Sequence, residues 1–338
     1  MYVSNAYETQ INYLTDKFKN LKINVSGEYY IVIADDEARR VMANKYGDGV
    51  GITPTKAATI TKLDALFTSN TNIVSFDELS EFHNLTKIAD STFKDCTNLE
   101  SINIPETVTV IAPQAFDGCT KLSTEINLPK LTSLSWGAFR NTAITKVISL
   151  GKITTLSEGV FQNCTKLESV TLPDTLQEIY KGTFTHCTSL ETCDIPQSVT
   201  TINPQAFDGC TKLVGEINLP NLTSLSWGAF RNTAITKVIS LGEITKLGDY
   251  TFYNCTKLTN VVLPSTLQNM YSYVFANCTE LKKMVSNSVD APTITWNTFS
   301  GTTTCQFYVP DDSVDAYKAA SGWSDYADRI HPISEYTE

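Results

Sequence analysis

A block of 38 residues occurs twice in this chain, and the duplication constrains the fold more than any other feature. Residues 113–150 read PQAFDGCTKLSTEINLPKLTSLSWGAFRNTAITKVISL, and residues 204–241 repeat them at an offset of 91 residues. The two copies differ at three positions, which are Ser123/Val214, Thr124/Gly215 and Lys130/Asn221. A segment copied at a fixed offset indicates an array that grows by the addition of equivalent turns.

A shorter unit runs through and beyond the block, and a phenylalanine marks it every 22 to 24 residues. The marker residues are Phe93, Phe116, Phe139, Phe161, Phe184, Phe207, Phe230, Phe252, Phe275 and Phe299. A period of this length, sustained over ten markers, is typical of a solenoid in which each turn buries its apolar side chains against its neighbours.

The unit reads Phe-x-x-Cys-x-x-Leu-x-x-Ile-x-Ile-Pro, as in residues 93–105. Its last two aliphatic residues alternate with polar ones, which predicts a short strand that the proline closes. A second apolar pair, such as Val108 and Ile111, precedes the return to Phe. The Phe139 and Phe230 turns are one residue shorter, which explains the following steps of 22 residues.

The nine cysteines follow the repeat, and they are predicted to be buried free thiols. Cys193 takes the place of Ile102 and Val170 in sister turns, so it is also expected to point inward. Parallel Cβ directions in a stacked row disfavour disulfides, and the chain has no CxxC pair for zinc. Seven cysteines lie three residues after a marker, at Cys96, Cys119, Cys164, Cys187, Cys210, Cys255 and Cys278.

Residues 1–66 do not follow the repeat and are predicted to form an N-terminal α/β cap, with the array beginning in degenerate form at Phe67. Residues 29–33 are apolar enough for a strand, and Asp35 or Asp36 is expected to cap a helix that runs to about Asn44. An apolar helical stripe precedes them, at Ile11, Leu14, Phe18 and Leu21.

Residues 44–55 have the outline of a calcium loop, with Asp48 and Gly49 at its fifth and sixth positions. Asn44, Tyr46 and Thr55 stand where carboxylates belong, so a glycine-rich turn is the favoured interpretation and calcium the alternative. A helix over residues 54–63 is expected to follow.

Residues 311–338 are predicted to form a C-terminal helical cap that covers the last open edge of the array. Before them, Cys305, Phe307 and Val309 share one face of a strand. Asp311 or Asp312 is expected to cap the helix. Its apolar face is predicted to contain Val314, Tyr317 and Ala320, extended by Trp323, Tyr326 and Ile330.

The units resemble the leucine-rich repeats of the BspA-like family of anaerobic bacteria and some protists, over about residues 67–310. The resemblance implies a right-handed leucine-rich-repeat superhelix, mainly β, with short parallel strands on one face, and the markers predict ten or eleven turns. It also implies a secreted or lipid-anchored surface protein whose relatives are associated with adhesion. No lipid-bearing cysteine is found near the N-terminus, so membrane attachment would depend on an anchor outside this chain and a leader removed from it.

The strand face is the candidate surface for a protein partner, either a host matrix protein or a bacterial surface protein, because solenoids bind through such extended surfaces. A merely solvated face is the alternative for any single residue. A monomer is expected. The candidate residues are Ser101, Asn103, Glu125, Asn127, Lys146, Ser169, Thr171, Thr192, Asp194, Glu216, Asn218, Lys237 and Asn260.

Two other functions compete with protein binding, namely glycan binding and a purely structural spacer. Trp136, Trp227 and Trp296 each lie three residues before a marker and could stack on sugars, although packing is the favoured role. A net charge of -10 disfavours nucleic acid and anionic lipid. No catalytic motif, cofactor or metal site is expected, and His186 beside Cys187 is interpreted as a turn residue.

Overall fold

The computed structural model describes residues 28–336, which form a parallel-strand β-solenoid of about twelve turns. The right-handed repeat superhelix predicted from the sequence is confirmed. The marker residues predicted ten or eleven turns; the additional strands lie in the terminal segments, at Ser75–Phe76 and Ile330–Pro332. The predicted helix stripe at Ile11–Leu21 lies outside the described residues.

Most turns contribute a short strand to a first ladder, in which paired neighbours run in parallel and which is interrupted twice. These strands carry the Ile-x-Ile part of the repeat, whose first aliphatic residue, such as Ile102 or Ile126, is buried because it points toward the interior. The first ladder contains Ser75–Phe76, Ser101–Ile102, Ile126–Asn127, Lys146–Ser149, Ser169–Val170, Glu216–Asn218, Lys237–Ser240, Asn260–Leu263, Lys283–Ser286, Gln306–Val309 and Ile330–Pro332.

A second parallel ladder lies on another side of the solenoid, so the prediction of strands on one face was incomplete. It is built from the second apolar pair of each unit, as Val108 and Ile111 illustrate by being fully buried. The second ladder contains Lys62–Leu63, Lys87–Ile88, Val110–Ile111, Ser133–Leu134, Thr155–Leu156, Glu178–Ile179, Thr201–Ile202, Ser224–Leu225, Lys246–Leu247 and Asn269–Met270.

The marker phenylalanines stack along the axis of the solenoid. Their ring centroids lie 5.0 Å apart between Phe67 and Phe93 and 5.9 Å apart between Phe275 and Phe299. Left-handed residues flank the markers, as at Ser91 and Asp95 on either side of Phe93. This backbone conformation favours Gly, Asn and Asp, which explains their frequency two residues after Phe.

The cysteines form a row of free thiols that bonds successive turns together. Cys119 Sγ donates to the carbonyl oxygen of Phe93 at 2.9 Å, and Cys210 Sγ donates to that of Phe184 at 3.1 Å. Burial raises the pKa of Cys164 to about 12, so its thiol stays protonated at neutral pH. The predicted burial is confirmed for eight cysteines, whereas Cys193 is only partly buried.

The N-terminal cap closes the first edge of the solenoid through Asp35. One carboxylate oxygen of Asp35 caps the helix Asp36–Tyr46 by accepting from Ala38 N, as predicted. The other accepts from Val74 N and Ser75 N at the start of the first strand. The predicted strand over residues 29–33 is reduced to an isolated bridge at Tyr29.

In the loop that resembles a calcium site, hydrogen-bond donors of the protein bind the carboxylate of Asp48. The carboxylate of Asp48 accepts hydrogen bonds from Tyr30 Oη and from the backbone amides of Val50 and Gly51. The expected helix over residues 54–63 is wrong beyond its first turn, because it ends at Pro54–Ala57 and Lys62–Leu63 forms a strand. β-branched residues 59–61 favour extended backbone, and pairing with Lys87–Ile88 supplies the hydrogen bonds.

The C-terminal cap combines short helices and one more strand. A 3₁₀ turn, Asp311–Ser313, leads into the helix Val314–Ala319. The predicted aspartate cap is wrong, because Asp311 Oδ1 accepts from Ser334 N at 3.0 Å. The chain then reverses, so Trp323 lies in a separate 3₁₀ helix, Trp323–Arg329, and Ile330 in the last strand. Short 3₁₀ helices also occur at Asp77–Glu81 and Ile333–Glu335.

Candidate interaction face

The outward side chains of the first ladder form a polar surface, here named the strand face. Because successive side chains of a strand point to opposite sides, the residues between the buried aliphatics must face solvent. The structure places ten of the predicted residues in the exposed class and leaves three, Ser101, Ser169 and Asn260, half-buried. The exposed ten are Asn103, Glu125, Asn127, Lys146, Thr171, Thr192, Asp194, Glu216, Asn218 and Lys237.

The first ladder is interrupted where the chain enters each copy of the duplicated block. Pairing stops after Ser101–Ile102 and resumes at Ile126–Asn127. It stops again after Ser169–Val170, where only an isolated bridge joins Ser169 to Thr192, and resumes at Glu216–Asn218. Thr192 and Asp194 were predicted on a regular strand; the structure leaves them outside any strand.

One extra residue in each block accounts for both interruptions. Ile102 lies three residues after Leu99, whereas Ile126 lies four residues after Leu122. The second copy has the same spacing, from Leu213 to Ile217. An additional residue displaces a strand from the regular register, and the register of both strands shifts against the following turn, at Ile126/Asn127 and Ile217/Asn218.

A groove opens at each interruption, and the two grooves occupy equivalent positions 91 residues apart. The first has a volume of about 210 Å³ and is lined by Ile102, Asn103, Ile104, Glu106, Glu125, Ile126, Asn127 and Leu128. The second has a volume of about 190 Å³ and is lined by Cys193, Asp194, Ile195, Gln197, Leu213, Val214, Gly215, Glu216, Ile217, Asn218, Leu219 and Ile235.

The two grooves differ at the residue that lies just before the first-ladder strand, which is Thr124 in the first copy and Gly215 in the second. In the first groove Thr124 Oγ1 donates to the Ile102 carbonyl at 3.3 Å. In the second, the equivalent residue is Gly215, with φ +124 and no atom within 4 Å of an added Cβ. Glycine is favoured in this conformation, and the space beside its Cα is open.

The ends of the strand face are covered by the caps. Ser101 Oγ donates to Asp77 Oδ2 at 3.0 Å. At the other end Tyr336 folds over the face: its ring lies 5.1 Å from Lys283 Nζ, and its hydroxyl lies 3.5 Å from Asn260 Nδ2. The accessible part of the face therefore runs from about Asn103 to Lys237 and includes both grooves.

The turns of the duplicated blocks carry ion pairs in which the aspartate is buried and the arginine is partly exposed. Arg140 forms a two-pronged pair with Asp117, with Nη2 2.6 Å from Oδ2, and Arg231 pairs in the same way with Asp208. Burial pushes the pKa of Asp117 upward, but hydrogen bonds from Arg140 outweigh this and hold the pKa below its usual value. These pairs stabilise the turns.

The predicted tryptophans do not form one site. The guanidinium groups of Arg140 and Arg231 lie over the rings of Trp136 and Trp227, at 5.1 and 5.5 Å from the centroids. Trp296 is the most exposed of the three tryptophans, at 79%.

The side chains of His186 and Cys187 diverge. His186 has φ +59 and its Nδ1 lies 3.3 Å from Asn163 Oδ1, as suits a turn residue. Cys187 Sγ donates to the Phe161 carbonyl inside the core, and burial raises its pKa. Within residues 28–336 no group of three or more His, Cys, Asp or Glu is placed to hold a metal ion.

Sequence reasoning found the outward residues but missed the grooves. The signal was the spacing of four residues between Leu122 and Ile126, which departs from the three residues of sister units. The sequence does not show which strands pair, so the interruption of the first ladder at this residue is visible only in the folded structure.

Comparison with family models matches the chain to the BspA type leucine rich repeat region in six copies, over residues 86–214 and 177–306. No curated protein sequence matches the chain. Among helices of the described part, none is both long and apolar enough to cross a membrane.

Three solved structures similar to this chain are bacterial. A leucine-rich repeat protein from Bacteroides ovatus has 21% identity, covering 81% of this chain and 87% of that one, with a TM-score of 0.46. A leucine rich cell surface protein from Faecalibacterium prausnitzii has 21% identity, covering 82% and 87%, with a TM-score of 0.40. The pneumococcal vaccine antigen PcpA has 18% identity, covering 74% and 70%, with a TM-score of 0.38.

Proposed function

The chain belongs to the BspA-type leucine-rich-repeat family, and from this premise we propose that it is a non-catalytic interaction protein that binds a protein partner through the strand face. Its expected place is the cell surface or the extracellular space. The partner is a host matrix protein or a protein of another bacterium, which makes the chain an adhesin.

The observation that carries this proposal is the exposed, mixed-charge row between Asn103 and Lys237. Its backbone is held by two ladders and a buried core, so binding would not require the face to order itself first. A preorganised surface avoids the entropy cost that weakens binding by mobile segments. Solenoids use such extended faces for recognition.

Glycan binding is the second candidate, and the exposure of Trp296 favours it over the other tryptophans. An aromatic face open to solvent can stack on a sugar ring, whereas Trp136 and Trp227 each have a guanidinium over the ring. A structural spacer with no ligand is the third candidate.

Biolayer interferometry against matrix proteins, mucin and glycans, at low and physiological salt, tests the three candidates. We expect saturable binding to a protein that is lost in the variant Asp194→Lys/Glu216→Lys. The matched control is Asp174→Lys/Glu243→Lys, which reverses two exposed carboxylates outside the strand face. Binding that survives the first variant but is lost in Trp296→Ala would support the glycan candidate instead, and silence across the panel would support the spacer.

A further inference from the structure

The two grooves present hydrogen-bond acceptors around an apolar floor. The first carries the carboxylates of Glu106 and Glu125, and the second carries those of Asp194 and Glu216. Asn103, Asn127, Gln197 and Asn218 add amide oxygens at their rims, and no lysine or arginine lines either groove. Lys237 meets the second groove from the next strand, where its Nζ lies 3.0 Å from Glu216 Oε1.

Side chains that only donate hydrogen bonds and carry positive charge are complementary to such a lining. Lysine and arginine have this property, and their aliphatic stems can lie on an apolar floor while the charged end meets carboxylates. Ile126 and Leu128 form that floor in the first groove, and Ile217 and Leu219 form it in the second. The grooves, with volumes of about 210 and 190 Å³, each have room for one long side chain.

The duplication also sets the distance between the grooves. The offset of 91 residues corresponds to four turns, and four steps of about 4.8 Å separate the grooves by roughly 19 Å. An extended chain advances about 3.3 Å per residue, so it covers this distance in about six residues. Residues separated by an even number of positions point to the same side of an extended chain.

We propose that the two grooves act together as a bivalent site that receives two lysine or arginine side chains, about six residues apart, from an extended segment of a protein partner. The proposal rests on the strand face being the binding surface and names the partner's chemistry. The second groove leaves more room for the incoming side chain, because Gly215 has no side chain and no atom lies within 4 Å of an added Cβ.

The test uses the full chain and two synthetic peptides of serine and threonine, each with two arginines and equal length. One peptide places the arginines six residues apart and the other three apart. Calorimetric titration at physiological salt is expected to show binding at least about tenfold tighter for the longer spacing, because the second contact becomes intramolecular.

Neutral variants locate the effect. Two double variants are used, Glu106→Gln/Glu125→Gln and Asp194→Asn/Glu216→Gln. Each is expected to lower the affinity for the peptide with six-residue spacing to the affinity for the peptide with three-residue spacing. The control Asp174→Asn/Glu243→Gln removes the same charge elsewhere and should keep the tenfold difference. Equal affinity of the two peptides, equal losses in all three variants, or no peptide binding would each overturn the bivalent site.

The outcome is separable from that of the proposed function. A chain that captures a protein from the panel through Asp194 and Glu216, but ignores arginine spacing, refutes only the bivalent site. A chain that binds the peptides with the expected spacing but no protein from the panel supports the grooves and leaves the partner outside that panel.

Discussion

The two copies of the duplicated block fold alike internally but present different surfaces. Both have left-handed backbone at Gln114 and its counterpart Gln205, although only the second copy has positive φ at Gly215, and both carry the arginine–aspartate pair. Their surroundings differ: Trp136 is 40% exposed, whereas Trp227 is partly buried and less exposed, beside a turn that carries Tyr250. The sequence within a turn therefore determines its backbone, and the neighbouring turns determine what that turn offers to a partner.

The same contrast holds for the grooves. The extra residue is present in both copies, so both interrupt the first ladder. The preceding turn differs, with Ile102 and Glu106 before the first copy and Cys193 and Gln197 before the second. Duplication thus supplied two grooves at equivalent positions with different linings.

Loss of a marker phenylalanine should give the largest effect and should be equal in the two copies. Phe116 stacks at 5.2 and 5.1 Å on its neighbours, and Phe207 stacks at 5.1 and 5.3 Å. Phe116→Ala and Phe207→Ala are each expected to lower the free energy of unfolding by roughly 3–5 kcal/mol, because a buried ring leaves a cavity. Circular dichroism melts measure this.

Tyr180→Ala is the control for the phenylalanine variants, because this side chain is 40% exposed. A melt of Phe207→Ala that matches the parent protein would contradict its place in the core. Unequal losses at Phe116 and Phe207 would show that the copies differ in stability despite their shared sequence.

Removal of the buried aspartates should have the next largest effect. Asp117→Asn and Asp208→Asn are each expected to cost about 1.5–3 kcal/mol, the range for hydrogen bonds to charged groups. Chemical denaturation at neutral pH measures the loss. The exposed variant Glu158→Gln is the control, and losses no larger than its own would show that the pairs contribute nothing.

The pKa of Asp117 also predicts a pH dependence. Because that pKa is lower in the folded chain than the usual value of about 3.9, the carboxylate stabilises the fold above this value. The stabilisation is lost as pH falls through the lower folded pKa. Denaturation of the parent and Asp117→Asn should therefore differ at pH 6 and converge in strong acid; a constant difference would refute the assignment.

Substitution of Thr124, just before the first-ladder strand of the first copy, should give the smallest effect on stability. Thr124→Gly makes the first copy like the second and removes the hydrogen bond to the Ile102 carbonyl. We expect a loss of about 1 kcal/mol, from the hydrogen bond and from the greater backbone freedom of glycine. Ser123→Val, the neighbouring difference between the copies, is the control and should change stability by less than about 0.5 kcal/mol. Equal losses of stability in the two variants would show that the hydroxyl of Thr124 does not stabilise this segment.

The outward residues were predictable because alternation along a strand follows from residue type and spacing alone. The groove geometry was not, since it depends on a mismatch between turns that are distant in sequence. The prediction that Asp311 caps the helix was wrong for a related reason. A nearby backbone amide was the expected donor to its carboxylate, but the chain reverses after the helix and brings Ser334 N to it. The half-buried state of Cys193 likewise depends on the open neighbouring turn.

By itself the sequence determined the solenoid, its marker phenylalanines and its buried thiols, because a period of about 23 residues leaves each apolar side chain no partner except its counterpart in the next turn. The tertiary structure decided the second ladder, the coverage of the strand face by Tyr336 and the two grooves. Those features depend on contacts between residues of different turns or of a turn and a cap, and these contacts exist only once the turns are stacked.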